Sequence, residues 1–136
     1  MDTPNALASL SQSLALVVST AGPSLVRVEG RRRAATGLAW SAQGHVLTAA
    51  HALETEGEES VRVGLPDGSS AAAQLVGRDA ALDLALLKVD APLQPLAHAP
   101  APQVGHLGLA LARPGRTVRA TLGMVSAYGE DRKSVV

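Results

Sequence analysis

The sequence contains no cysteine and no phenylalanine, and it has only one tryptophan and one tyrosine. The absence of cysteine excludes disulfide bonds, thiolate metal ligands and a cysteine nucleophile, and it leaves the redox compartment open. With so few aromatic rings, the core must be built from the small aliphatic side chains of alanine, leucine and valine. The 136 residues are enough for one compact domain with such a core.

An excess of charge of one sign is also missing, because twelve basic side chains are balanced by twelve acidic ones. A chain without a net field is not steered toward nucleic acid or an anionic membrane. The triple arginine Arg31–Arg33 has no interleaved aromatic residues and is interpreted as a solvated hairpin turn, and the acidic run Glu54–Glu59 as a solvated loop. We therefore expect no nucleic-acid partner and no membrane partner.

Long hydrophobic runs and metal-ligand patterns are absent as well. The longest apolar stretch near the amino terminus, Leu14–Val18, is too short for a signal peptide or a membrane span. His45, His98 and His106 show no ligand spacing with one another or with paired carboxylates. The sequence predicts a soluble chain without a signal peptide or transmembrane segment, and without a metal ion or cofactor.

A stripe of leucine and valine recurs at helical spacing near the amino terminus. Its members are Leu7, Leu10, Leu14, Val17 and Val18. The stripe predicts one amphipathic helix that Thr3 or Asn5 caps and that ends at Ala21 to Pro23. We interpret the stripe as core packing across the rest of the fold, although in an oligomer it could be an intersubunit contact.

From Ser24 onward the pattern changes to short β-type runs separated by turn residues. The predicted strands are Leu25–Glu29, Thr36–Trp40, His45–Ala49, Val61–Leu65, Ala71–Val76 and Leu84–Val89. Their connections Gly30–Arg33, Ser41–Gly44 and Pro66–Gly68 are hairpin-like, which favours an antiparallel meander or Greek key. Six short antiparallel strands pair their edges best by closing, so the sequence predicts an all-β fold built on a six-stranded barrel.

A proline- and alanine-rich segment, residues 91–103, interrupts the strand pattern and is interpreted as an extended linker. Beyond it, Gly105–Ala112 and Thr117–Ala127 predict a hairpin around Arg113–Arg116. Two strands do not form an independent domain. The predicted organisation is an N-terminal helical segment 1–22, a barrel 23–90, the linker 91–103 and an incomplete second unit 104–136.

Two residues, His51 and Asp83, have the chemistry of a hydrolytic site. An imidazole with an unperturbed pKa of about 6.5 can accept a hydroxyl proton and return it to a leaving amine. His51 follows the apolar run His45–Ala49 and is therefore expected at a strand end, facing a cleft. A buried carboxylate is needed to orient the ring, and Asp83, directly before the apolar run Leu84–Val89, is preferred to its rival Asp79.

Three stretches of the chain resemble, in the same order, the amino-terminal part of trypsin-like serine proteases of the HtrA (DegP, Do-like) family. They are residues 36–51, 76–90 and 123–129. The resemblance implies serine endopeptidase chemistry on unfolded or extended polypeptides, with His51 as the general base and Asp83 as the acid that orients it. It also implies that the barrel is the first of two six-stranded barrels and that residues 104–128 open the second.

The nucleophile of that family lies in a Gly-Asn-Ser-Gly-Gly turn, which these 136 residues do not contain. The serines after Asp83 are Ser126, placed within a predicted strand without a following glycine pair, and Ser134. We therefore expect a truncated form that retains the base and its orienting acid, lacks the nucleophile and the oxyanion hole, and is inactive alone.

Two other interpretations stay open. One is a non-catalytic pseudoprotease barrel that holds an extended peptide in the cleft beside His51 or on a free strand edge. The other is the stub of an interrupted protease gene, without a function of its own. Because the two apolar strands after the linker would stay uncovered, we also expect a homo-oligomer in which residues 104–128 pair with a neighbouring copy.

Overall fold

The apolar runs form β-strands and the amphipathic segment near the amino terminus forms a helix, as the sequence predicts. The computed structural model describes residues 5–30, 33–53 and 61–129. Helix α1 spans Asn5–Ala21, and a turn of 3-10 helix, Gly22–Ser24, joins it to the strands. The strands are β1 Leu25–Glu29, β2 Ala34–Ala39, β3 His45–Ala49, β4 Val61–Gly64, β5 Ser70–Asp79, β6 Leu84–Val89, β7 Leu107–Ala112 and β8 Arg119–Met124.

Strands β1 to β6 close into an antiparallel barrel in the order β1-β2-β3-β6-β5-β4. The chain forms two meanders of three strands each, and the β1–β4 and β3–β6 pairings join them. Each barrel strand therefore has a hydrogen-bonded neighbour on both sides. The closed barrel confirms the predicted fold class.

The barrel interior is filled by alternate residues of its strands, because successive side chains of a strand point to opposite faces. The largest apolar side chains without exposed surface there are Val26, Val28, Val46, Val63, Leu87 and Val89. Among the described residues, the buried cluster consists of valine, leucine and alanine only. This composition confirms the prediction of a core made of small aliphatic side chains.

Gly37, in β2, allows close packing inside the barrel. A Cβ atom at this position would lie 2.5 Å from Val46 Cγ1 and 2.9 Å from Val28 Cγ2. Both valines are fully buried and have little room to move. Gly37→Ala is therefore expected to lower the free energy of unfolding by about 1–3 kcal/mol in urea denaturation. Gly108→Ala in β7 is the matched control, since an added Cβ there meets nothing within 4 Å; an equal loss in the control would contradict the packing argument.

The β7–β8 hairpin confirms the second predicted pair of strands, and its turn is attached to the barrel by Arg113. This side chain is 7% exposed and donates from Nε to the Leu25 carbonyl at 2.8 Å and from Nη2 to the Gly22 carbonyl at 3.0 Å. Its Nη1 donates to the Arg116 carbonyl, and its backbone N–H donates to Thr36 Oγ1 at 2.9 Å. One buried guanidinium thus joins the hairpin turn to the start of β1 and to the segment after α1.

The strands of this hairpin are largely uncovered. Every residue of β8 is exposed, and Leu122 and Met124 keep 50% and 62% of their surface. Leu107 in β7 keeps 48%. The exposed apolar hairpin agrees with the expectation for two strands that lack a covering sheet.

Helix α1 forms as predicted, but its apolar stripe does not pack across the barrel. Leu7 and Leu10 are 75% and 41% exposed, and within the helix the buried residue is Ala21, at its end. The interpretation of the stripe as core packing is therefore wrong, because the barrel strands fill the barrel interior with their own side chains. The alternative, an intersubunit contact, stays a prediction.

Several sequence features lie outside the described residues: Thr3, the arginines at positions 31 and 32, the acidic run Glu54–Glu59, and the tail 130–136 with Ser134. Segment 91–103 contains no helix or strand, and Leu93 at its beginning packs against the barrel core. None of the helices in the described ranges is long and apolar enough to cross a membrane.

Candidate active site

The register of β3 and β6 brings His51 and Asp83 together although they are 32 positions apart in the chain. The strands are antiparallel, and Ala49 at the end of β3 lies opposite Leu84 at the start of β6. Residues just after β3 therefore lie beside residues just before β6. The N–H of Ala50 donates to the Asp83 carbonyl at 3.0 Å, which extends the pairing by one step toward the site.

Asp83 holds His51 at two points. Its Oδ1 accepts the backbone N–H of His51 at 2.8 Å, and its Oδ2 lies 2.5 Å from the imidazole Nδ1. An ionised carboxylate only accepts hydrogen bonds, so Nδ1 carries the proton and Nε2 is the basic nitrogen of the neutral ring. The carboxylate thus selects the tautomer in which Nε2 can accept a proton from another group.

The loop between β5 and β6 presents Asp83 in a left-handed backbone conformation. Its φ is +57°, a region in which aspartate is tolerated better than most residues other than glycine. Asp79 shapes the loop, because its Oδ1 accepts the N–H groups of Ala81 at 3.0 Å and Leu82 at 3.2 Å. Of the two rival carboxylates, Asp79 therefore binds the local backbone and Asp83 contacts the imidazole.

The pair lies at the surface. The side chain of His51 is 76% exposed and that of Asp83 is 48% exposed. The expectation of a buried carboxylate is therefore wrong, because the loop that carries Asp83 lies on the outside of the barrel. The hydrogen bond from the His51 side chain, followed by that from the His51 backbone N–H, lowers the pKa of Asp83 and favours its charged form.

His51→Ala is expected to raise the pKa of Asp83 toward the ordinary value of aspartate, because the variant removes the side-chain donor and keeps the backbone donor. Carboxyl-carbon NMR titration of the two proteins measures this change. Asp67 is an internal control, since its pKa is lowered by hydrogen bonds from Ser69 and should not respond. An Asp83 pKa that is the same in both proteins would contradict the contact described above.

The same lowered pKa fixes the sign of a pH dependence. Between the folded-state pKa and the ordinary value of about 3.9, the unfolded chain binds more protons at Asp83 than the folded chain does. The stabilisation by this group is therefore complete above the ordinary value and is lost as the pH falls through the folded-state pKa. In urea denaturation, we expect the stability deficit of His51→Ala to shrink on acidification across this range.

The remaining histidines make local contacts. His45 Nδ1 lies 2.7 Å from Ser41 Oγ, and the ring of His98 packs edge-on against Trp40 with the centroids 5.1 Å apart. His106 Nδ1 accepts a backbone N–H at 3.0 Å. Within residues 5–30, 33–53 and 61–129, no three His, Asp or Glu side chains converge as metal ligands.

Ser126 follows β8 rather than lying within it, and it is exposed. The position after the strand corrects the prediction that placed it in the strand. The turn that the family uses for its nucleophile is not among these residues. The arrangement in the described residues is therefore an imidazole held at two points by a carboxylate.

Comparison with known proteins shows the family to which the chain is similar. A family model described as "Trypsin-like peptidase domain" matches residues 35–136, a range that includes His51 and Asp83. The probable periplasmic serine endoprotease DegP-like of Chlamydia trachomatis is 32% identical in an alignment 105 positions long, which covers 74% of this chain and 21% of that protein. The serine endoprotease DegS of Escherichia coli is 31% identical in an alignment 133 positions long, which covers 84% of this chain and 36% of that protein.

A solved structure shows the same fold. The crystal structure of the serine endoprotease from Yersinia pestis is 33% identical, with a TM-score of 0.71, over 82% of this chain and 43% of that chain. The curated relatives are much longer than this chain, which covers 21% of the first and 36% of the second. On the family match, the relatives and the shared barrel together, the chain belongs to the trypsin-like peptidases and resembles their DegP and DegS members.

Proposed function

We propose that this chain supplies the general base and the orienting carboxylate of an HtrA-like serine endopeptidase that cleaves unfolded or extended polypeptides. The observation that carries the proposal is the two-point contact of His51 with Asp83, at positions that resemble the base and acid of the family. The names of the relatives as serine endoproteases support the reaction class. The nucleophile and the oxyanion donors would come from polypeptide outside the 136 residues.

In this proposal, His51 and Asp83 each have one role in the reaction. His51 Nε2 takes the proton of the attacking serine hydroxyl, and the resulting imidazolium is stabilised by the negative charge of Asp83. The same nitrogen then gives the proton to the leaving amine, and a water molecule hydrolyses the acyl-enzyme by the same route. Asp83 stays ionised throughout, in keeping with its lowered pKa.

The first test uses the purified 136-residue chain. We expect no turnover of casein and no labelling by a serine-directed fluorophosphonate, because the sequence contains no Gly-Asn-Ser-Gly-Gly turn to supply the nucleophile and the oxyanion donors. His51→Ala is the control for activity from a contaminating protease. Turnover or labelling that disappears in His51→Ala would contradict the proposed division of the site.

The second test adds the parts of the site that the proposal places outside these residues. Residues 1–128 of this chain are joined to the part of E. coli DegS that follows the matched segment, which supplies a second barrel. We expect this chimera to be labelled by the fluorophosphonate and to cleave casein, and His51→Ala to abolish the cleavage. Circular dichroism confirms that both chimeras are folded; a folded chimera that cleaves equally well with and without His51 would overturn the assignment of the base.

A second candidate function is a self-assembling or peptide-binding barrel, and the exposed β7–β8 hairpin favours it. Its apolar strands are exposed in the described chain, which suits pairing with another extended strand. The expected homo-oligomer would use residues 104–128 for this pairing. Sedimentation of the 136-residue chain at several concentrations tests for this homo-oligomer. A monomeric mass at every concentration would exclude it.

A further inference from the structure

A second cleft lies between three segments that are distant in the sequence: strand β1, the β4–β5 turn and the β7–β8 turn. Its volume is about 300 Å³, and its lining includes Arg27, Glu29, Gly68, Ser69, Ser70 and Arg116. We name it the Arg27/Arg116 cleft. Neither His51 nor Asp83 lines it, so it is separate from the site described above.

Arg27 is fixed in one wall of the cleft. Its Nε donates to the Pro114 carbonyl at 2.9 Å, and its Nη1 donates to Glu29 Oε1 at 2.7 Å. The first bond ties the guanidinium to the β7–β8 turn, and the second pairs it with a carboxylate on its own strand. The group is therefore held in place before any ligand arrives, which lowers the entropic cost of binding.

Arg116 lies against the β4–β5 turn. A Cβ atom on Gly68 would be 2.8 Å from its Nη2, so the guanidinium rests on the backbone of the β4–β5 turn where a side chain is missing. Gly68 has a φ of +92°, which also requires glycine at this turn. Among the described residues, none accepts a hydrogen bond from this guanidinium. Arg116 therefore brings an unused set of donors to the cleft.

The charges around the cleft leave an excess of one positive charge. Arg62 adds a third guanidinium at its edge, where Nη2 donates to Ser70 Oγ at 2.5 Å. Glu29 is already paired, and Asp67 accepts the N–H and the hydroxyl of Ser69 at 2.8 and 2.6 Å. The cleft is thus lined by two arginines and one carboxylate, Glu29, which is already paired, while Arg62 and Asp67 lie beside it. An anion is the ligand whose charge complements this lining.

We propose that the Arg27/Arg116 cleft binds a small tetrahedral oxyanion of the phosphate type. Guanidinium groups donate in pairs to phosphate oxygens. Here the two lining guanidinium groups belong to β1 and to the β7–β8 turn, and donors from two separate segments can surround a tetrahedral ion better than a flat carboxylate. A bound oxyanion links β1, the β4–β5 turn and the β7–β8 turn, so it strengthens the attachment of the hairpin to the barrel.

The test follows backbone amides by NMR while inorganic phosphate is added to the 136-residue chain at constant ionic strength. We expect saturable shifts confined to the cleft, at Gly64, Gly68, Ser69, Ser70 and Gly115. Arg116→Gln is expected to weaken the apparent affinity about tenfold, since it removes charge-assisted hydrogen bonds. Glu29→Gln is expected to tighten binding, because it removes the carboxylate that competes for Arg27.

Two controls decide the outcome. Arg119→Gln removes an equal charge from the exposed strand β8 and should leave the phosphate response unchanged. Acetate, added at the same concentration of negative charge, should bind more weakly than phosphate. Shifts that do not saturate, that spread over the surface, or that survive Arg116→Gln would overturn the proposal. An acetate response as strong as that of phosphate would overturn the assignment to a tetrahedral ion. None of these readouts depends on peptidase activity.

Discussion

Asp83→Asn in the chimera with the DegS second barrel is expected to lower kcat for casein cleavage by about 10⁴-fold. Asparagine keeps the size of the side chain and tolerates the left-handed backbone at this position. Its amide group can donate to Nδ1 of His51, however, and this favours the ring tautomer with the proton on Nε2. The base is then protonated where it must accept a proton, so the loss is in the chemical step.

The measurement is the steady-state rate of cleavage, with kcat and KM determined separately. KM should change little, because Asp83 orients the base and does not contribute to uniform binding of the substrate. Asp90→Asn is the matched control, since it removes an exposed carboxylate from the other end of β6. A loss in Asp83→Asn that appears mainly in KM, or that Asp90→Asn reproduces, would exclude the orienting role.

The strands could be predicted from the sequence because the barrel core has a simple period. Alternating valine and leucine in Leu25–Glu29 and Leu84–Val89 predicts both strands with their observed bounds. Once β3 and β6 are placed as antiparallel neighbours in the barrel, the residues after the end of β3 and before the start of β6 must approach each other. The contact of His51 with Asp83 is therefore a consequence of strand register.

The end of strand β5 could not be predicted from the local sequence pattern. The sequence predicted an end at Val76 because Gly77 interrupts the apolar run, but the strand continues to Asp79. A register shift between Leu75 and Gly77 allows the continuation, and glycine is typical of such bulges. Whether a glycine ends a strand or bends it depends on the partner strand, here β6, which lies outside any local window.

Tertiary contacts made by single polar side chains also could not be predicted from the sequence. The stretch Arg113–Arg116 was predicted only as the turn of a hairpin, and arginine is rarely buried. Burial of Arg113 depends on carbonyl groups at Gly22 and Leu25, which are 91 and 88 positions away. No spacing rule connects these positions, so the contact that joins the hairpin to the barrel is visible only in the fold.

Arg113→Met is expected to lower the free energy of unfolding by about 3–5 kcal/mol, because three carbonyl groups lose a charge-assisted donor and each such loss costs about 1–3 kcal/mol. Methionine keeps much of the aliphatic stem, so the change isolates the hydrogen bonds from the packing. The free energy of unfolding of Arg113→Lys should lie between those of the unchanged protein and Arg113→Met. One ammonium group cannot reproduce the forked guanidinium that reaches Leu25, Gly22 and Arg116.

Urea denaturation of these variants measures the stability, and hydrogen exchange of the β7 and β8 amides measures the attachment of the hairpin. Arg119→Met is the matched control, because this arginine lies on the exposed strand β8, and we expect a change within about 0.5 kcal/mol. Exchange in β7 and β8 should accelerate more than in β3 and β6 if Arg113 anchors the hairpin specifically. Equal acceleration of exchange in both pairs of strands would mean instead that Arg113 stabilises the barrel as a whole. A loss of unfolding free energy no larger than that of Arg119→Met would show that solvent satisfies the three carbonyls as well as the guanidinium does.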